Sequence, residues 1–154
     1  MVNTYYYDTE IGKIYISEED NFITCIRFEH EVSQTEILKE TKILKEAGKQ
    51  INEYLKGSRK IFDLPLLPIG TAFQKKVWEA LKNIPYGKTK SYSEIAAIIG
   101  NEKACRAVGN ANNKNPIPII IPCHRVVGSN GKLVGYAGGL FIKNFLLNLE
   151  FNNK

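Results

Sequence analysis

Asn115-Pro116-Ile117-Pro118-Ile119-Ile120-Ile121-Pro122-Cys123-His124-Arg125-Val126-Val127 is the stretch around which this chain is organised. Three prolines fix φ and rule out an α-helix here. Their alternation with isoleucines predicts an extended, apolar, buried segment. It delivers a thiol, an imidazole and a guanidinium in succession. A cysteine is a strong nucleophile only as thiolate, and a neighbouring base or cation favours that form. Most unpaired cysteines are buried apolar thiols, but apolar strands seldom end in Cys-His-Arg. Adjacent side chains on an extended chain point to opposite faces. Contact between Cys123 and His124 therefore needs a bend after Pro122 or a bridging water.

The rest of the chain sets the frame. At 154 residues it holds one ordinary domain or two small ones, with 44% hydrophobic and 24% charged residues. No apolar run is long enough to cross a membrane, and Met1 to Tyr7 is unlike a signal peptide. The expectation is a cytoplasmic (or nuclear, nucleoid-associated) protein that is not secreted. The three cysteines, Cys25, Cys105 and Cys123, include no Cys-x-x-Cys pair, which fits a reducing compartment. Cys25 and His30 lack two further zinc ligands, so no metal and no cofactor is expected, and Cys105 reads as a small buried packing residue. Charge divides the chain. Residues 1–70 carry 9 Lys and Arg against 12 Asp and Glu, whereas residues 71–154 carry 12 against 4. A basic second half suggests a polyanionic partner such as nucleic acid.

The expected fold class is α+β. Thr4–Tyr7, Lys13–Ser17 and Phe22–Phe28 read as three short antiparallel strands, rich in aromatic and β-branched residues and separated by turns. Ser33 with Glu36 spells a capping box. It opens a helix through Ile37, Leu38, Leu44, Ala47, Ile51 and Leu55, with Gly48 a candidate break. Ile61–Gly70 reads as an extended linker, and domains are expected at 1–66 (structural) and 67–154 (basic, with the Cys-His-Arg stretch). Thr71 with Gln74 and Ser91 with Glu94 spell two more capping boxes. Trp78 reads as a core or inter-module anchor. The short helix Tyr92–Ile99, a turn at Gly100 and a helix over Ala104–Asn112 form a helix-turn-helix pattern. Ala107, Gly109 and Ala111 would let that second helix approach a ligand closely. Gly128–Lys132 is a hairpin-type turn. A last helix from Leu140 ends near Glu150, where a carboxylate opposes the helix dipole and so suggests a partner, with His124 as candidate.

Ile121-Pro122-Cys123-His124-Arg125-Val126 closely resembles the active-site signature of the O6-alkylguanine-DNA alkyltransferases. Asn115-Pro116-Ile117-Pro118, Arg106-Ala107-Val108-Gly109, Tyr92, Tyr136 with Gly138-Gly139, and the Leu-Leu-x-x-Glu ending at Glu150 match at family spacing, covering Thr71 to Glu150. The resemblance implies a ribonuclease H-like first domain and a mainly helical second domain with an active-site loop. It implies irreversible, single-turnover transfer of an alkyl group from O6-alkylguanine (O4-alkylthymine being a further candidate) in double-stranded DNA to Cys123, after base flipping. His124 would act as base through a water, Glu150 would orient it, Tyr92 would protonate the leaving guanine, and Asn115 would hold the turn. Arg106, Ala107, Gly109, Ala111 and Arg125 would meet DNA, with Arg106 filling the gap left by the flipped nucleotide. Tyr136, Val126, Gly138 and Gly139 would form the substrate pocket. Many relatives carry serine where this chain has Ala137. The protein is expected to act as a monomer. Two alternatives stay open on the residues alone: a thiol hydrolase using Cys123, His124 and Glu150, and a helix-turn-helix regulator or lesion sensor, which would have no need of Cys123.

Overall fold

Strand β1 (Val2–Thr9) pairs antiparallel with β2 (Gly12–Glu19), and β2 with β3 (Phe22–Arg27). The β2–β3 turn runs through Asp20 and Asn21, both at positive φ (52° and 65°), the twist that a two-residue hairpin requires. The computed structural model describes residues 1–29, 33–136 and 138–154. His30 and Ala137 lie outside them, and with them the Cys25–His30 zinc alternative and the serine-to-Ala137 departure. Two compact units emerge, Met1–Ile69 and Gly70–Lys154.

In the first unit the expected antiparallel sheet is mixed. β4 (Glu36–Leu38) adds to β1 in parallel, giving the order β3-β2-β1-β4 among the described residues. The helix expected from Ser33 starts later: α1 (Lys42–Leu55) has Thr41 as its N-cap. Ser33 N does donate to Glu36 Oε2 at 2.9 Å, but this bond closes a turn. Ile37 and Leu38 then find backbone partners on β1, which a helix would forfeit. Gly48 does not break α1. A Cβ there would sit 2.8 Å from the Tyr7 ring, so glycine lets the sheet approach. Tyr7 is anchored by its hydroxyl, which donates to Glu40 Oε2 at 2.8 Å, and cannot easily yield. Gly48→Ala is therefore expected to destabilise: helix propensity returns about 1 kcal/mol, overpacking costs about 1–3 kcal/mol. A lower urea midpoint at unchanged slope would show it.

The expected linker is partly structure. Ile23 N donates to Pro65 O (2.9 Å) and Leu67 N to Ile23 O (2.8 Å), while Gln50 exchanges two bonds with the Asp63 backbone. Residues 63–67 thus belong to the first unit.

The second unit begins with α2 (Ala72–Lys82), capped by a complete Thr71–Gln74 box. Trp78 is 1% exposed and its Nε1 donates to Ala111 O at 2.9 Å, pinning α2 to α4 (Cys105–Asn113). Between them, β5 (Lys90–Ser91) leads into α3 (Tyr92–Ile98), whose Ser91–Glu94 box is also complete. Gly100, at φ +82°, turns the chain from α3 toward α4. The segment expected to be extended is coiled instead. Ile121 N reaches back to Ile117 O (2.9 Å), Ile119 adopts φ +75°, and Cys123–Arg125 form one turn of 3-10 helix. Short-range turns satisfy the backbone while Ile117, Ile119 and Ile121 bury their side chains. β6 (Val126–Val127) then pairs in parallel with β5, and α5 (Leu140–Asn153) closes the unit.

Candidate active site

The turn that presents Cys123 is held by Asn115. Its Nδ2 donates to Ile121 O at 2.8 Å and its Oδ1 accepts from Ile117 N at 3.0 Å. Asn115 is 6% exposed, so this amide spans the loop from inside. The bend after Pro122, which a contact between Cys123 and His124 demanded, is present as the 3-10 turn. Burial pushes the Cys123 thiol up to about 11, against the lowering effect of a hydrogen bond from Asn115 and the charge of Lys143. At rest the sulfur is therefore protonated, and attack needs a base.

His124 and Glu150 are both fully buried, with His124 Nε2 2.7 Å from Glu150 Oε2. Burial raises the Glu150 carboxyl, but hydrogen bonds and charge from His124 and Arg125 outweigh it and hold the group far below the ordinary range. An ionised carboxylate only accepts. The proton between them therefore sits on Nε2, which leaves the basic lone pair on Nδ1. Burial lowers the imidazole pKa despite Glu150, so the ring is neutral at neutral pH and able to take a proton. Glu150 Oε1 also accepts from Gly87 N at 3.0 Å. The unfavourable place of this carboxylate in the last turn of α5 is thus balanced by four donors from three residues.

Arg125, expected at the DNA surface, turns inward. Its Nε and Nη2 grip Glu150 at 2.9 Å each, its Nη1 donates to Ile84 O at 2.7 Å, and its side chain is 9% exposed. A bidentate pair of this kind is the geometry a guanidinium favours in a dry site, and it leaves Arg125 no reach to a phosphate.

Lys143 escaped the sequence reading. It is 0% exposed, and Nζ donates to Val126 O (2.7 Å), Val134 O (2.9 Å) and Gly135 O (3.3 Å). Desolvation lowers it to about 8, with the Cys123 charge opposing. Its signal was available: it lies seven residues before Glu150 on the same helix, which places the two charged side chains on one face. Lys143→Met should lose about 2 kcal/mol, because three buried carbonyls lose their donor while a costly buried charge is relieved. On a chain of this length that is roughly 4–8 °C in melting temperature.

Tyr92 opens α3 and donates to Val134 O at 2.8 Å. Burial raises its phenol, and the neighbouring Cys123 adds to this. Tyr92, Arg106, Ala107, Gly109, Asn113 and Val134 line an open cavity of about 1100 Å³. Ala107 and Arg106 are exposed on α4, and the Tyr92 ring packs on Gly109 (3.7 Å from a built Cβ). Ala111, grouped with them on sequence, faces the core at 3% exposure. Cys105, expected to be buried, is exposed on the cavity wall. Tyr136 and Gly138 are half-buried and Gly139, at φ +92°, precedes α5. The Val126 carbonyl is taken by Lys143.

A buried thiol, a neutral imidazole with an oriented lone pair, and a phenol beside a cavity can perform nucleophilic attack with proton transfer. Residues 72–152 match the model of the 6-O-methylguanine DNA methyltransferase DNA binding domain, and residues 1–68 that of the family's ribonuclease-like domain. A methylated-DNA–protein-cysteine methyltransferase of Methanosarcina acetivorans is 49% identical over 94% of this chain and 95% of its own length. The constitutive enzyme of that name from Bacillus subtilis is 50% identical, over 93% and 92%. The crystal structure of Mycobacterium tuberculosis OGT in complex with DNA superposes with a TM-score of 0.91 at 43% identity, over 98% of this chain and 94% of that one. With both units matched and the whole length shared at such identity, the chain belongs to the 6-O-methylguanine DNA methyltransferase family.

Proposed function

We propose that this protein repairs alkylated double-stranded DNA by moving the alkyl group of O6-alkylguanine onto Cys123, once per chain. The observation that carries the reading is the buried Cys123 thiol on the same 3-10 turn as His124, whose imidazole is held by Glu150. His124 Nδ1, acting through a water, takes the thiol proton as sulfur attacks the alkyl carbon in line. Tyr92 gives its proton to the departing guanine. Asn115 holds the turn in which the sulfur sits. Asn115 and Glu150 act as positioning residues.

The target oxygen lies inside a duplex, so the base is flipped out. α3 and α4 act as a helix-turn-helix, with the exposed Ala107 and the half-buried Gly109 close to the DNA and Arg106 in the vacated space. Contacts to phosphate supply affinity with little sequence preference. Tyr136, Val126, Gly138 and Gly139 wall the pocket. The first unit is the structural, ribonuclease H-like domain, and the protein acts as a cytoplasmic or nucleoid-associated monomer. O4-alkylthymine is a second candidate substrate.

Intact-protein mass spectrometry after mixing with duplex DNA bearing one O6-methylguanine tests the reading. One added methyl, mapped to Cys123 and saturating at one per chain, is expected. Binding without mass gain would make the protein a lesion sensor. Loss of the DNA methyl without mass gain would mean a turning-over hydrolase.

A further inference from the structure

We propose that Asn112 is a positioning residue for alkyl transfer: its amide nitrogen joins the Cys123 backbone to the Tyr92 hydroxyl and stabilises the phenolate left when Tyr92 surrenders its proton. This rests on the function proposed above. Asn112 sits in the last turn of α4 and is 2% exposed. Its Nδ2 donates to Cys123 O at 3.3 Å. The end facing that carbonyl must be the donor, since two oxygens would repel, so the amide orientation is determined. Gly109, one turn earlier on the same face of α4, carries the Tyr92 ring. The two residues thus put the phenol and the Asn112 amide side by side. The amide also lowers the Tyr92 pKa, against the raising effect of burial.

Two further observations make this more than packing. Asn112 Oδ1 is buried and has no hydrogen-bond partner among the described residues. An orphaned buried carbonyl costs stability, and an apolar residue of equal size would avoid that cost. What the site gains from the amide is its N–H. The second observation concerns the resting acceptor of Tyr92. Val134 O takes the Tyr92 proton at 2.8 Å and also accepts from Lys143 at 2.9 Å. When Tyr92 turns its proton toward the base, Val134 O remains satisfied.

The step balances. The sulfur–carbon bond forms as the carbon–O6 bond breaks, and the broken bond's electron pair passes into the guanine. Tyr92 supplies the proton that neutralises the base and becomes phenolate beside Asn112. The proton that Cys123 shed to His124 returns through solvent to the phenolate. The sum is thiol plus O6-alkylguanine giving thioether plus guanine.

Single-turnover rates of Cys123 methylation by O6-methylguanine duplex, measured on the full chain, test the proposal. Tyr92→Phe is expected to slow transfer about 10²-fold, the range of a lost general acid. Asn112→Leu should slow it about tenfold, the value of one hydrogen bond to developing charge. The double variant should be no slower than Tyr92→Phe alone. In Asn112→Leu the alkaline limb of the rate profile should also move to higher pH, because the phenolate has lost a donor. A packing defect would multiply the two factors and leave that limb in place, and either result overturns the proposal, as does an unchanged rate in Asn112→Leu. Should Asn112→Leu not fold, Asn112→Ser replaces it, with the same non-additivity expected. A wild-type chain that binds the duplex but never methylates Cys123 defeats the function itself. Normal wild-type transfer with independent effects defeats only the role of Asn112.

Discussion

Cys123→Ala is expected to lower alkyl transfer by at least about 10⁴-fold, the scale seen when the nucleophile of a coupled set is removed. DNA binding should persist. The sulfur is buried at 3% exposure, whereas the face proposed to meet DNA is carried by exposed residues of α4 such as Arg106 and Ala107. Stability should change little, since one small atom leaves a packed turn that Asn115 still holds at both ends. The measurement pairs intact mass with binding to the same O6-methylguanine duplex by fluorescence anisotropy. A methyl appearing on the variant would point to the exposed Cys105 on the cavity wall, and the assignment of Cys123 would fail.

Glu150→Leu is expected to cost about 3–5 kcal/mol, the penalty for leaving a buried ionic partner uncompensated. Arg125 would keep its charge in a dry site with the Ile84 carbonyl and the face of the Tyr86 ring as its remaining partners, and the Gly87 amide would lose its acceptor. His124 would lose the bond that fixes its tautomer. The melting temperature should fall by roughly 10 °C or more. Glu150→Gln should fall less far, because its oxygen still accepts. pH gives an independent check. The Glu150 carboxyl is held far below its unfolded value of about 4.3 by His124 and Arg125 acting against burial. Its contribution is thus fully present above that unfolded value and is lost as pH falls toward the folded one. The wild-type chain should lose stability between about pH 5 and pH 3 more steeply than Glu150→Leu. Parallel acid limbs in the two proteins would contradict the placement of this charge.

Local chemistry in this chain is readable from spacing, because its partners lie within one turn. The Thr71–Gln74 and Ser91–Glu94 boxes form in full, and the Asp20–Asn21 turn twists as a hairpin needs. Cys-His-Arg after three prolines is a rare local arrangement, and with the ill-placed Glu150 carboxylate it pointed to a His124–Glu150 pair that the structure contains. The same rules stop where a distant neighbour competes. Ser33 and Glu36 spell the identical cap, yet Ile37 and Leu38 take backbone bonds from β1 and stay a strand. Gly48 looks like a helix breaker and is a notch for Tyr7. Prolines excluded an α-helix over residues 115–127 but could not distinguish a strand from a chain of turns, because both leave the proline nitrogens unpaired. Direction of side chains was likewise a tertiary decision. His124 and Arg125 are neighbours in sequence and both converge on Glu150, so a guanidinium that the family resemblance assigns to DNA becomes an internal ion pair. Lys143 reads as one more surface lysine until three carbonyls close around it. The sequence by itself therefore determined which groups could do the chemistry, since that depends on residue type and short spacing. Which of them are buried, paired and titrated into use is settled by the packed fold, because those properties come from groups 8 to 63 residues away along the chain.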